Sequence, residues 1–203
     1  MTKILSLLSA FILFANCGGY NKIQENDEKV NSAWAEVLNQ YKRRTDLIPA
    51  LVKTVQGAAD FEKSVLTDVT RARSNVGGIQ VTPEILKNPD ELQKFMTAQT
   101  QLSGALQRLL VVAEKYPDLK SNENFLSLQS QIEGTENRLA VSRTRYIKAV
   151  EEYNLSIRQI PGNIYASIFG YKPKASFTIE NADAIKKMDE SVAEPPKVDF
   201  GKK

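Results

Sequence analysis

Apolar side chains recur three and four residues apart through most of the stretch from Tyr20 to Ile160. That spacing places them on one face of a 3.6-residue helix; a half-buried strand would need strict alternation, and no such pattern occurs. The first seam is Ile23, Val30, Trp34, Val37 and Tyr41, predicting a helix over about Tyr20–Arg43 that Asp27 interrupts. The second is Ile48, Leu51, Val55, Ala58, Glu62, Val65, Val69, Ala72 and Val76, predicting a helix over Asp46–Val76 stopped by Gly77-Gly78. Asp46 would cap it, with Pro49 in the first turn, where a missing N–H costs no hydrogen bond. One first helix running through Pro49 is the other reading of the same residues.

After a connector with a single turn at Thr82-Pro83-Glu84, the run Asn88-Pro89-Asp90-Glu91 supplies a cap, a proline at the first helical position and acids in the first turn. It opens a third helix, Pro89–Tyr116, with Leu92, Phe95, Gln99, Leu102, Leu106, Leu109, Ala113 and Tyr116 on one face. The fourth, Asn122–Ile160, carries Phe125, Leu128, Ile132, Thr135, Leu139, Ser142, Tyr146, Ala149, Tyr153 and Ile157, and ends at Pro161-Gly162. With a rise of about 1.5 Å per residue, its length is about 60 Å. A short apolar turn, Ile164–Phe169, is expected to pack on the end. The breaks at 44–46 and 117–121 are short, which favours antiparallel neighbours. The expected fold is therefore all-α: an antiparallel up-and-down four-helix bundle with an irregular C-terminal tail.

The N-terminus has a different pattern. Lys3 precedes an unbroken, mostly apolar run, Ile4–Ala15. This matches a secretory signal peptide and is short of the roughly 20 residues that span a bilayer. Cys17, the one cysteine, follows at once. Its position resembles that of the lipidated cysteine of bacterial lipoproteins; Ala15 fits that signal, whereas Phe14 and Asn16 depart from it. An uncleaved short anchor is the alternative. The expected layout is a signal peptide over 1–16, a lipid-anchor linker over 17–19, the helical domain over 20–170 and a mostly irregular tail over 171–203. The tail carries Pro173, Pro195 and Pro196, a weak helical stretch at Ala182–Met188, and Phe177 and Phe200 as docking candidates.

Composition narrows the chemistry. The chain lacks histidine, which removes the commonest general base and zinc ligand, and its single cysteine excludes an intrachain disulfide. Its 27 basic and 24 acidic residues are interspersed, without the basic block that marks a nucleic-acid partner. There is no Gly-x-Ser-x-Gly elbow and no phosphate-binding Gly-x-x-x-x-Gly-Lys loop. No catalytic residue, cofactor or enzymatic activity is expected.

Polar residues interrupt the seams at Glu62, Gln99, Thr135 and Ser142. A lone buried carboxylate is costly, so Glu62 is expected to meet an arginine from another helix, Arg44 and Arg138 being near a seam, as are Arg71, Arg73, Arg108, Arg143 and Arg145. Arg44, Asp46, Glu62 and Arg138 are the expected structural ion-pair residues. Glu133 and Glu136 form a Glu-x-x-Glu pair, for which pairing with Arg138 or other bases is the plain reading. With Glu62 they are also the only weak metal candidates, for a carboxylate-bound divalent ion. Gly134, beside them in mid-helix, is read as a point of close helix approach.

These residues also carry a resemblance. The stretch Tyr41-Lys42-Arg43-Arg44-Thr45-Asp46-Leu47-Ile48-Pro49 resembles a segment of the bacterial LemA family. Leu109 to Lys120 and Gln131 to Val141 do so too, as do Arg145-Tyr146, Tyr153-Asn154 and Phe169-Gly170. The likeness covers about residues 20–172. It implies a four-helix up-and-down bundle in a bacterial membrane-associated protein, and it implies no catalytic residue. The expectation is thus a palmitate-bearing lipoprotein of the cell envelope, attached through Cys17 to the cell or outer membrane and facing out of the cytoplasm. Its expected role is a scaffold for an envelope protein or for self-association; a carboxylate-lined site for a metal or small ligand is the alternative.

Overall fold

Helix α1 (Cys17–Gln56) is the longest element of the computed structural model, which describes residues 17–58 and 61–177. It is continuous through Pro49, so the break expected at 44–46 does not exist there, and Asp46 is an exposed mid-helix residue instead of a cap. The helix ends at Gln56, and the next one begins at Lys63. A proline inside a helix removes the N–H that would reach back four residues, here to the carbonyl of Thr45. Arg73 Nε of α2 (Lys63–Gly77) donates to that carbonyl at 3.4 Å. The ring of Pro49 sits on the exposed side, while Tyr41, Arg44, Ile48, Leu51 and Val55 continue one buried stripe across it.

The remaining helices start where local chemistry places them. A 3₁₀ turn (Pro83–Lys87) leads to α3 (Pro89–Ala113). Asn88 Oδ1 accepts from the N–H groups of Asp90 and Glu91 at 3.2 and 3.4 Å. Helix α3 stops short of the expected Tyr116, which instead precedes the one-turn helix α4 (Pro117–Lys120). Helix α5 (Glu123–Arg158) opens on Asn122, whose Oδ1 accepts from Phe125 N at 3.1 Å. Then comes α6 (Gly162–Phe169). Gly162 must be glycine, because a Cβ there would stand 1.8 Å from the Ser156 carbonyl oxygen. Gly170 ends α6 with φ +74°, in the left-handed region that glycine enters without strain. The described residues contain no strand.

Helices α1 and α5 run antiparallel along their lengths: Asn26 meets Glu152, Glu36 meets Arg145, Tyr41 meets Arg143 and Arg44 meets Glu136. Helix α3 runs parallel to α1, with Tyr41 opposite Met96 and Arg44 opposite Gln99. Helix α2 packs on α3, and Asp68 pairs with Arg108 between them at 3.2 Å. Nearly every seam residue expected to be buried is buried, including Ile23, Trp34, Leu51, Val69, Leu102, Leu106, Leu139 and Tyr153.

The core divides into two apolar clusters. One joins Ile48, Leu51 and Val55 to α2, to α3 from Ala98 onward and to Phe125 and Ile132. The other joins α1 from Ile23 to Tyr41 with Ile85, Leu86, Leu92, Phe95 and α5 from Leu139 to Ile157. Helix α2 has only 15 residues against 40 in α1, about 22 Å against about 60 Å. It therefore cannot flank the second cluster. There the 3₁₀ turn and the segment after Gly170 pack instead, through Leu86, Tyr171, Ala175 and Phe177.

Candidate functional site

The two apolar clusters are separated by polar residues at the same level on three helices. On α1, Arg44 lies between Tyr41 and Ile48; on α3, Gln99 lies between Phe95 and Leu102; on α5, Thr135 and Glu136 lie between Ile132 and Leu139. Arg44 is fully buried. Guanidinium keeps its charge at any accessible pH, so its surroundings must supply acceptors. Arg44 Nη1 donates to Glu136 Oε1 at 2.6 Å and to the Ser103 hydroxyl. Nη2 donates to the Gln99 side-chain oxygen and, at 3.3 Å, to the Gln99 carbonyl. Only Nε lacks an acceptor among the described residues.

One helical turn away, Arg143 Nε donates to the Tyr41 hydroxyl at 3.0 Å, and that hydroxyl donates to Met96 Sδ at 3.6 Å. The Arg44 and Arg143 guanidinium carbons stand 5.3 and 5.2 Å from the Tyr41 ring centre. Burial pushes the Tyr41 phenol above its ordinary pKa, and the two guanidiniums, Arg143 first, pull part of the way back. Glu136 is 37% exposed. It lines a groove of about 570 Å³ with Ser103, Leu106, Gln107, Leu110 and Glu133. Its charge is already matched by Arg44 behind it.

A second polar constellation holds an extended strap, residues 171–177. Tyr146 Oη donates to the Ala175 carbonyl at 2.7 Å, and Tyr153 Oη to the Lys172 carbonyl at 3.2 Å. The Asn154 amide takes both backbone groups of Lys174, accepting from its N–H at 2.9 Å and donating to its carbonyl at 3.0 Å. Ala175 N donates to the Leu86 carbonyl at 3.2 Å. The Lys174 ammonium pairs with Asp27 at 2.9 Å and lies 5.1 Å from the Tyr153 ring centre. Phe177 stacks against Trp34 and Tyr146 with centroids 6.0 and 4.8 Å away. Burial drives the Tyr146 phenol well above its usual range and the Tyr153 phenol up to about 12, Asp27 adding to the latter.

Several sequence expectations change here. Glu62 is exposed, just before α2, and forms no ion pair among the described residues. It lies between the end of α1 at Gln56 and the start of α2 at Lys63, outside the single helical register that placed it on the seam. Asp46 is exposed and likewise unpaired among the described residues. Arg138 makes no ion pair there; it donates to Gln40 Oε1 at 3.4 Å and Thr135 Oγ1 at 3.2 Å. The carboxylate of the Glu-x-x-Glu pair that meets an arginine is Glu136, and its partner is Arg44. Glu133 accepts from Gln129 at 3.0 Å. Glu62, Glu133 and Glu136 do not converge: the described residues contain no group of three acidic or cysteine side chains placed to hold a metal. Gly134 marks no close helix approach, because a Cβ there would meet only Arg138 of its own helix, at 3.5 Å. Phe177 docks as expected, but the tail leading to it is held in place far more closely than its composition suggested.

Other expectations lie outside the described residues: the signal peptide over 1–16, the stretch at Ala182–Met188, and Phe200. Cys17 begins α1, and its side chain too is outside them. Among the described residues no helix is long and apolar enough to cross a membrane.

Arg44 was findable as a seam residue, three after Tyr41 and four before Ile48. The strap carried no such signal, because its backbone partners are side chains about 20 to 30 residues upstream. The sequence profile of the LemA family matches residues 33–200, which takes in the Arg44 constellation, the strap and its partners other than Asp27. A comparison with curated proteins returns no match.

Proposed function

Because the chain belongs to the LemA family, we propose that it is a membrane-tethered protein of the bacterial cell envelope whose helices form an up-and-down four-helix bundle serving as a non-enzymatic interaction module. One observation carries the reading. The polar residues of the family-like stretches, Arg44, Glu136, Tyr146, Tyr153 and Asn154, have their hydrogen-bonding groups directed at other parts of the same chain. They order the helices and clamp the strap, which is what a rigid display surface needs. A lengthwise antiparallel α1–α5 pair of about 60 Å offers such a surface well beyond the anchor. The tether is assigned to lipid on Cys17, next to the apolar run Ile4–Ala15. Each buried CH₂ adds about 0.8 kcal/mol, so two or three acyl chains hold a protein on a bilayer durably.

Metabolic labelling with radioactive palmitate tests the tether. Wild type should take up label and Cys17→Ala should not; an unlabelled wild type ends the lipoprotein reading. Cross-linking in intact envelopes tests the module. A defined partner, or a second copy, should be recovered with wild type, and a chain that cross-links to nothing would overturn it.

A further inference from the structure

Large exposed apolar side chains are not spread evenly over this molecule. Val111, Leu126, Val141 and Leu155 are spread along α3 and α5, Leu155 lining one cavity with Ile160. Ile160, Ile164, Ile168 and Phe169, by contrast, gather on and beside α6, exposed by 83, 55, 69 and 57%. Ile160, Ile164 and Ile168 are spaced by four, so the helical pair Ile164 and Ile168 shares one face. Isolated surface leucines need no explanation; a cluster of this kind does.

The position of α6 supplies one. It packs on the first turns of α1: the Tyr20 ring lies 5.2 Å from Phe169 and 6.4 Å from Tyr165, and Gly19 faces Pro161 and Tyr165 closely. With a helical rise of about 1.5 Å per residue, Tyr20 is only about 5 Å along the axis from Cys17. The apolar run Ile4–Ala15 ends two residues before that cysteine. The exposed isoleucines are therefore at the end of the molecule from which the tether departs, and the opposite end of α1 is about 60 Å away.

We infer that the exposed face of α6, with Ile160, is a lipid-contacting surface: it inserts its apolar side chains into the interfacial region of the bilayer that carries the tether and sets the long axis of the helices relative to the membrane. Amphipathic helices lying in the interface bury their apolar face by roughly 5–10 Å, a depth that suits side chains of this length and requires no spanning segment. The inference rests on the tether proposed above.

The full chain, reconstituted into phosphatidylethanolamine–phosphatidylglycerol vesicles, tests both separately. Flotation of wild type and Cys17→Ala reads the tether. Tryptophan placed by Ile164→Trp or Ile168→Trp, measured in vesicles containing bromine-labelled acyl chains, reads the surface. The native Trp34 lies well beyond Cys17 and is buried, about 25 Å along the helix, and supplies an unquenched background. Both new tryptophans should lose fluorescence to the bromines, whereas Val141→Trp, exposed in mid-α5, should not. If the chain floats but the tryptophans at 164 and 168 behave like that at 141, the lipid surface is refuted and the tether stands. A chain that does not float refutes both. A concentration-dependent blue shift of the new tryptophans without vesicles would assign the face to a second copy instead.

Discussion

Replacing Glu136 by glutamine isolates the buried charge. The change keeps shape and one acceptor oxygen but removes the countercharge from Arg44, which is fully buried. Two unit charges about 4 Å apart attract by about 4 kcal/mol at an effective dielectric of 20, and by about 1 kcal/mol in bulk water. Arg44 is at the buried extreme, whereas Glu136 is 37% exposed, so solvent weakens the pair to between these limits. Gln99 and Ser103 continue to accept from the guanidinium. The expected loss is therefore about 2 kcal/mol, or a fall in Tm of about 4–8 °C for a domain of this size. Urea unfolding followed by circular dichroism at 222 nm measures it. Arg44→Met and the double variant complete a cycle, in which the double variant should be about 1–2 kcal/mol less destabilised than the sum of the singles. A Glu136→Gln protein as stable as wild type, or a cycle that closes additively, would refute the pairing argument.

Other perturbations probe the remaining contacts. Asn154→Ala removes both backbone hydrogen bonds to Lys174, at about 1 kcal/mol each, and should speed amide exchange and proteolysis across 171–177 while leaving α1–α5 protected; unchanged exchange there would mean the strap is held without Asn154, through Tyr146, Tyr153 and the Leu86 carbonyl. Phe177→Ala should cost about 2 kcal/mol, less than a fully buried phenylalanine because Phe177 is half-buried, and should change Trp34 emission; an unaltered spectrum would contradict the stacking. Pro49→Ala should raise stability by about 1–2 kcal/mol, since alanine restores the N–H facing the Thr45 carbonyl and the exposed ring contributes little packing; a lower Tm would show that Arg73 contributes more than the ladder bond. Stability should also fall with rising pH from about 10 to 12. The folded chain keeps its Tyr153 proton up to about 12, and its Tyr41 and Tyr146 protons above the ordinary range, while the unfolded chain releases them near 10, so each tyrosine removes up to about 1.4 kcal/mol per pH unit in that window. Absorbance at 295 nm showing all these phenols ionising near 10 would contradict it.

The burial pattern was legible because it is periodic. Tyr41, Ile48, Leu51 and Val55, or Leu102, Leu106 and Leu109, announce one buried face without reference to anything distant. The cap at Asn88 was legible too, since a cap bonds backbone two or three residues away. Where the answer depended on residues far along the chain, local reading misled. Pro49 reads as a helix start, yet α1 continues through it, and Arg73 reaches the carbonyl that the proline orphans. Glu62 reads as a seam residue only if no turn precedes it. Arg44 is visibly on a seam, but its acid is 92 residues away and was one of several candidates.

From sequence alone, then, come the helical class, the seams, the Asn88 cap and the family likeness, all of which depend on neighbours within a turn or two of helix. Tertiary structure alone decided that α1 runs unbroken, that Glu136 and not Glu62 neutralises the buried guanidinium, and that residues 171–177 complete the core where α2 is too short to reach. Those outcomes are set by which side chains meet across the packed interior, and a one-dimensional period carries no record of such meetings.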